Sequence, residues 1–212
     1  MKFVIASLLI IFASFILPEK EKLTARSPLG DYSSAWNDPK YLKCNTAAKA
    51  GYMSANEREL IYILNLARIN PSLFAGTVVK NYPEKSGRGY LVNSDYYKSL
   101  LDTMKKMKPV NLLQPDSLCY TSAFCHAVSA GNAAYTGHDR QTDDCKEKRN
   151  FNGECCDYGN EKPLDIVLSL LIDNWVPSLG HRWICLNSYK RIGVSIQPHK
   201  GYRHNAVLDF HY

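Results

Sequence analysis

The chain has 212 residues, of which 45% are hydrophobic, 11% aromatic and 22% charged; that suffices for one core and excludes disorder as the main state. Its 12 Gly and 10 Pro follow no period, which excludes collagen-like sequence, and a mean hydropathy of -0.29 with one long apolar run excludes a polytopic membrane protein. The net charge of +6 comes from 26 basic and 20 acidic residues that are interspersed, which falls short of a nucleic-acid footprint.

Lys2 precedes an apolar run over residues 3–17, broken at Pro18-Glu19-Lys20. The run is shorter than the roughly 18 apolar residues of a spanning helix and fits the core of an export signal. Residues 1–18 are therefore read as a signal peptide, cut between Ser14 and Arg26. A secreted or periplasmic protein with no transmembrane domain after signal removal follows. Export suits the seven cysteines: Cys44, Cys119, Cys125, Cys145, Cys155, Cys156 and Cys185. Several are expected to pair, and the odd count leaves at least one free or bridging two chains. No C-x-x-C occurs, so structural disulfides are favoured over a cysteine zinc site.

Residues 19–53 are polar, with turn formers at Ser27-Pro28-Leu29-Gly30, and read as an extended N-terminal arm that Cys44 ties down. The domain proper is placed at 54–212. Ser54 and Glu57 have capping-box spacing, and Leu60, Ile61, Leu64 and Arg68 share a helix side. Pro71 ends that helix and opens a short one over 72–79. Residues 81–94 read as a loop and 94–107 as a helix. Asp116 caps another helix running to about Ala134. Residues 136–159 look irregular. After Pro163, the series Leu164, Val167, Leu168, Leu171, Trp175 predicts a buried helix. Alternation over 191–197 and 205–212, around Gly201, predicts an antiparallel hairpin. Helices followed by a hairpin imply a layered α+β domain.

No G-x-S-x-G elbow, P-loop or H-E-x-x-H is present. What remains is Gly137-His138-Asp139-Arg140, Gly153-Glu154-Cys155, and the segment from Trp175 through Ser178 and Gly180 to His181-Arg182. Each key His or Glu follows a glycine, which lets the backbone turn and leaves the next side chain accessible. Two imidazoles and a carboxylate suit Zn²⁺ or another divalent cation, or a general base with its orienter. Arg182, Ser178 and Trp175 are ligand-contact candidates, although Arg182 equally suits tying loop carbonyls and Ser178 suits capping a turn. Asn65 and Arg68 read as structural, and His126 as packed within its helix.

In order along the chain, these segments resemble the CAP superfamily of cysteine-rich secretory, antigen 5 and pathogenesis-related proteins, and in particular its bacterial SCP-like branch. Asn65-Leu66-Ala67-Arg68 is similar to its N-x-x-R, His126-Ala127 to its helical His-Ala pair, and Gly137-His138 to its loop histidine. Gly153-Glu154-Cys155 is similar to G-E-N, with Cys replacing Asn. Residues 175–186 resemble W-x-x-S-x-G-H-R-x-x-x-L, and Ile192-Gly193-Val194 with Asp209-Phe210 resemble the last strands. The resemblance spans 54–212. It implies a three-layer α-β-α sandwich with a small antiparallel sheet and a cleft formed by His138, Glu154 and His181. The second acid of many relatives is replaced by Ser178, and Asp139, Asp157 or Asp173 would have to substitute.

The resulting expectation is an exported, non-enzymatic binding module for a small ligand, a lipid or a surface protein. A metal-assisted hydrolase and a surface-interaction protein with a vestigial cleft are the alternatives. The catalytic residues, the disulfide pairing and the oligomeric state are not legible.

Overall fold

The computed structural model describes residues 26–212, and the expected signal peptide lies outside them. Helix α1 (Ala55–Ile69) begins at the expected cap. Ser54 Oγ accepts from the Glu57 N–H at 3.3 Å and Glu57 Oε2 accepts from the Ser54 N–H at 2.6 Å. The other Glu57 oxygen accepts from the Ile196 N–H at 2.9 Å, so the cap also fixes α1 against the sheet.

Beyond Pro71 the chain runs on as α2 (Pro71–Phe74), one π-helical stretch (Ala75–Val79) and α3 (Lys80–Lys85). This is longer than the expected helix and takes up the start of the expected loop, the rest of which holds a 3₁₀ turn (Gly89–Asn93). Tyr82 supplies a reason: its ring is buried and its hydroxyl donates to Asp165 at 2.8 Å, so tertiary packing carries the helix past composition. Helix α4 (Asp95–Lys106) follows as expected. After β1 (Gln114–Pro115), Asp116 Oδ1 accepts from the Leu118 and Cys119 N–H groups and caps α5 (Ser117–Ala133).

The segment expected to be irregular instead holds α6 (Asp143–Glu147) and β2 (Gly153–Tyr158). Helix α7 (Pro163–Ile172) ends because Asp173 turns left-handed at φ 56°. The buried stripe therefore stops at Leu171, and Trp175, expected to continue it, is 81% exposed. Helix α8 (Gly180–Leu186) precedes the hairpin of β3 (Arg191–His199) and β4 (Arg203–His211).

The sheet order is β1-β3-β4-β2, parallel between β1 and β3 and antiparallel elsewhere. Alternation splits its side chains between two helical layers. On one face Cys156 and Val207 pack on Ala123 and Ala127 of α5. On the other, Ile192, Val194, Cys155, Leu208 and Phe210 join α1 and α7 in the main core. The domain is thus α+β, with helices on both faces of a small mixed sheet. Gly193 sets the spacing of α5, because a Cβ there would lie 2.0 Å from the Tyr120 nitrogen.

The segment expected to be an extended arm is not extended over its described part. It folds into two 3₁₀ turns (Ser34–Asn37 and Pro39–Cys44), and Leu29, Trp36, Tyr41 and Cys44 enter the main core. Trp36 Nε1 donates to Thr77 Oγ1 at 3.0 Å, which adds a polar anchor to the apolar one. Pairing of cysteines is also sparser than expected. Cys125 and Cys145 form one disulfide between α5 and α6, while Cys44, Cys119, Cys155, Cys156 and Cys185 are free and buried. These five occupy core positions as small hydrophobic residues. Among the described residues no helix is long and apolar enough to cross a membrane.

Candidate functional site

Gly137, at φ 131°, turns the chain after α5 so that His138 meets β2. The Gly137 N–H donates to the Tyr158 hydroxyl at 2.8 Å and locks the turn to that strand. His138 Nδ1 lies 2.8 Å from Glu154 Oε1, and the other Glu154 oxygen accepts from Arg140 at 2.5 Å. The Glu154 side chain is 2% exposed with both oxygens engaged, so it holds His138 rather than lining an open site as a ligand.

Across the strand pair, Glu154 stands opposite Asp209, whose carboxylate lies 3.5 Å from Arg140. Burial alone would raise the Glu154 carboxyl, but hydrogen bonds from His138, Arg140 and Asp209 hold it down at about 2. Burial and the neighbouring Glu154 charge push Asp209 well above its ordinary range. The two carboxyls are thus shifted in opposite directions, with the Arg140 guanidinium beside both. That Glu154 hydrogen bond raises the pKa of His138, against the opposing effect of its partial burial.

The second half of the site is built at the end of α7. Asp173 Oδ1 lies 2.8 Å from His181 Nδ1, and Asp173 Oδ2 accepts from the backbone N–H groups of His181 and Arg182. Asp173 therefore satisfies the start of α8 and orients its histidine together. Ser178 was expected to cap this turn; the cap position is instead Leu179, with no side-chain cap bond. Among Asp139, Asp157 and Asp173, the structure brings Asp173 to His181.

The two imidazoles lie with ring centroids 6.5 Å apart and planes at 37°, His138 beside a cavity walled by Arg140, Glu154 and Ile184 and His181 beside another. Each has Nδ1 on a buried carboxylate, so Nδ1 is the donor and Nε2 keeps its lone pair. This is the arrangement in which a second carboxylate fixes the tautomer of a metal-binding histidine. Beneath this pair, His126, Glu154 and Cys156 bring one ligand atom each within 4.8 Å of one another, a group that could hold a metal ion. Beside His181 lies a cavity of about 250 Å³ whose walls include Asp157, Asp173, Tyr82, Arg88, Tyr90 and Asn174.

The remaining expected residues fall elsewhere. Arg182 is fully buried and donates to the Leu171, Ile172 and Tyr96 carbonyls and to Ser99 Oγ, so it braces the fold. Asn65 ties the Cys44 and Leu113 carbonyls, and Arg68 those of Asn111, Cys185 and Tyr189. His126 Nε2 lies 3.0 Å from the Gly137 carbonyl and supports the His138 turn from beneath. Sequence reasoning did not place Arg140 or Asp209 in the site. Arg140 sits two residues after His138, which was a signal, but Asp209 enters through strand register alone.

Fold and site together define a class: an α+β sandwich bearing a cleft with two carboxylate-backed histidines. No family model, curated protein or solved structure matches the chain.

Proposed function

We propose that the chain is an exported binding module of the CAP type whose cleft holds a divalent cation, Zn²⁺ in the first instance, between His138 and His181. The observation that carries this reading is the pair of neighbouring imidazoles, each with Nδ1 on a buried carboxylate. Such backing raises ligand basicity and leaves Nε2 for the metal. Two protein nitrogens leave further coordination positions to water or to a small ligand, which the adjoining cavity accommodates. The order of the six segments from Asn65 to Asp209, the Cys125–Cys145 disulfide and the apolar N-terminal run support the CAP and export parts of the reading. A bound cation would supply Lewis acidity; Glu154 and Asp173 orient the two rings that would hold it.

Calorimetric titration of purified protein with Zn²⁺ tests this. Binding at micromolar concentration or tighter is expected, with about a hundredfold loss in His138→Ala/His181→Ala. Absence of binding, or affinity that survives in the double variant, would sink the reading. Affinity should also fall as the solution is acidified, because protonation of the imidazoles removes the lone pairs.

A further inference from the structure

A second groove adjoins the cleft on its outer side. Its volume is about 370 Å³, and its walls include Tyr90, Tyr96, Trp175, Asn93, Asp95 and Asn174. Tyr90 and Asn174 also line the cavity beside His181, so the two spaces share a wall. From this groove we infer that the protein binds a neutral oligosaccharide chain, independently of any cation at the histidines.

The aromatic residues are displayed rather than stored. Trp175 is 81% exposed and Tyr90 67% exposed, with Tyr96 packed 6.5 Å from the Trp175 ring, centroid to centroid. A folded chain loses burial energy by leaving a Trp in water, so the backbone must hold it there. Trp175 sits at φ 68°, between Asp173 at 56° and Leu179 at 52°. Three left-handed residues with side chains in one short loop are a strained arrangement of the kind that gathers at binding sites. Val176 N–H to Asp173 O and Leu179 N–H to Val176 O bonds brace the loop.

The polar groups decide what these rings meet. Ser94 Oγ donates to Asn174 Oδ1 at 2.8 Å, which fixes the amide and leaves its Nδ2 donor with no partner among the described residues. Asn93 and Asp95 add exposed acceptors at the rim. Flat aromatic faces beside fixed amide and carboxylate groups match the C–H faces and hydroxyl edges of a sugar ring. The cation at the rim, Lys98, lies 3.4 Å from both the Asn93 carbonyl and Asp95 Oδ1, so its charge is already matched and an anionic chain gains little there. The groove is built from a 3₁₀ turn, the start of α4 and the Trp175 loop, so no unpaired strand edge is offered to a peptide backbone.

Calorimetry of the purified protein with cellohexaose and with N-acetylchitohexaose, in EDTA throughout, tests the proposal. Saturable binding of at least one is expected, weakened about tenfold or more in Trp175→Ala and in Tyr90→Ala. Trp175→Phe should retain most of the affinity, which separates the ring from the backbone strain. No saturable binding of either sugar, or equal affinity in Trp175→Ala, would overturn the proposal. So would concentration-dependent self-association that Trp175→Ala abolishes, which would make a second copy the occupant.

Discussion

Asp157 is a carboxyl group buried at the wall of the cavity, where Asn160 Nδ2 donates to its two oxygens at 2.9 and 3.1 Å. Burial raises its pKa to about 6 despite those bonds and the charge of Arg88. Below about 3.8 the folded and unfolded chains are both protonated at this group, and between 3.8 and about 6 only the unfolded chain ionises. Stability contributed here is therefore greatest in acid and falls as pH rises through that window. Asp157→Asn should flatten this slope and gain up to about 3 kcal/mol near neutrality. Urea unfolding at two pH values on either side of the window measures it, and parallel slopes for the two proteins would refute it. Such carboxylates were only half legible in the sequence. His138, Glu154 and His181 stood out because each follows a glycine. That Asp173 serves His181, and that Asp209 lies under Glu154, depends on a left-handed helix end and on strand register. Neither leaves a mark in residue spacing.

Helix α5 lies closer to the sheet than side chains would permit. At Gly193 a Cβ would meet the Tyr120 nitrogen at 2.0 Å, and at Gly131 one would meet the Pro198 carbonyl oxygen at 2.1 Å. Both obstructing atoms are backbone, so a larger residue requires the helix itself to shift. Gly193→Ala is expected to cost about 3 kcal/mol. Thermal unfolding reads this directly, and an unchanged melting temperature would show that α5 can back away freely. The elements that could be recognised beforehand are those whose sequence carries a cap, a helical apolar series or a clear alternation: α1, α4, α5, most of α7 and the terminal hairpin. Strand β2 was missed because its residues are buried on both faces, which removes alternation, and because Glu154 and Asp157 make it look polar. The 26–53 segment was missed for a related reason. Its buried residues are spread through short 3₁₀ turns that repeat no long period.

The whole domain carries one covalent tie, Cys125–Cys145, closing a separation of 20 residues. Loop closure of that length corresponds to about 3 kcal/mol, so Cys125→Ser/Cys145→Ser should unfold at correspondingly lower urea while keeping its fold. The five other thiols are buried, so native protein should resist iodoacetamide that labels the denatured chain at all of them. Rapid labelling of Cys155 or Cys185 in native protein would contradict the packing of α8 on β2. The sheet order has another consequence, for the timing of synthesis. Strands are made in the order β1, β2, β3, β4, yet β2 pairs only with β4, which inserts between β2 and β3. Until residues 203–211 have emerged, β2 has no neighbour and Glu154 has no Asp209 across from it. A partly made chain thus gains little by closing the sheet early. The cleft comes into being in the same event that completes the sheet.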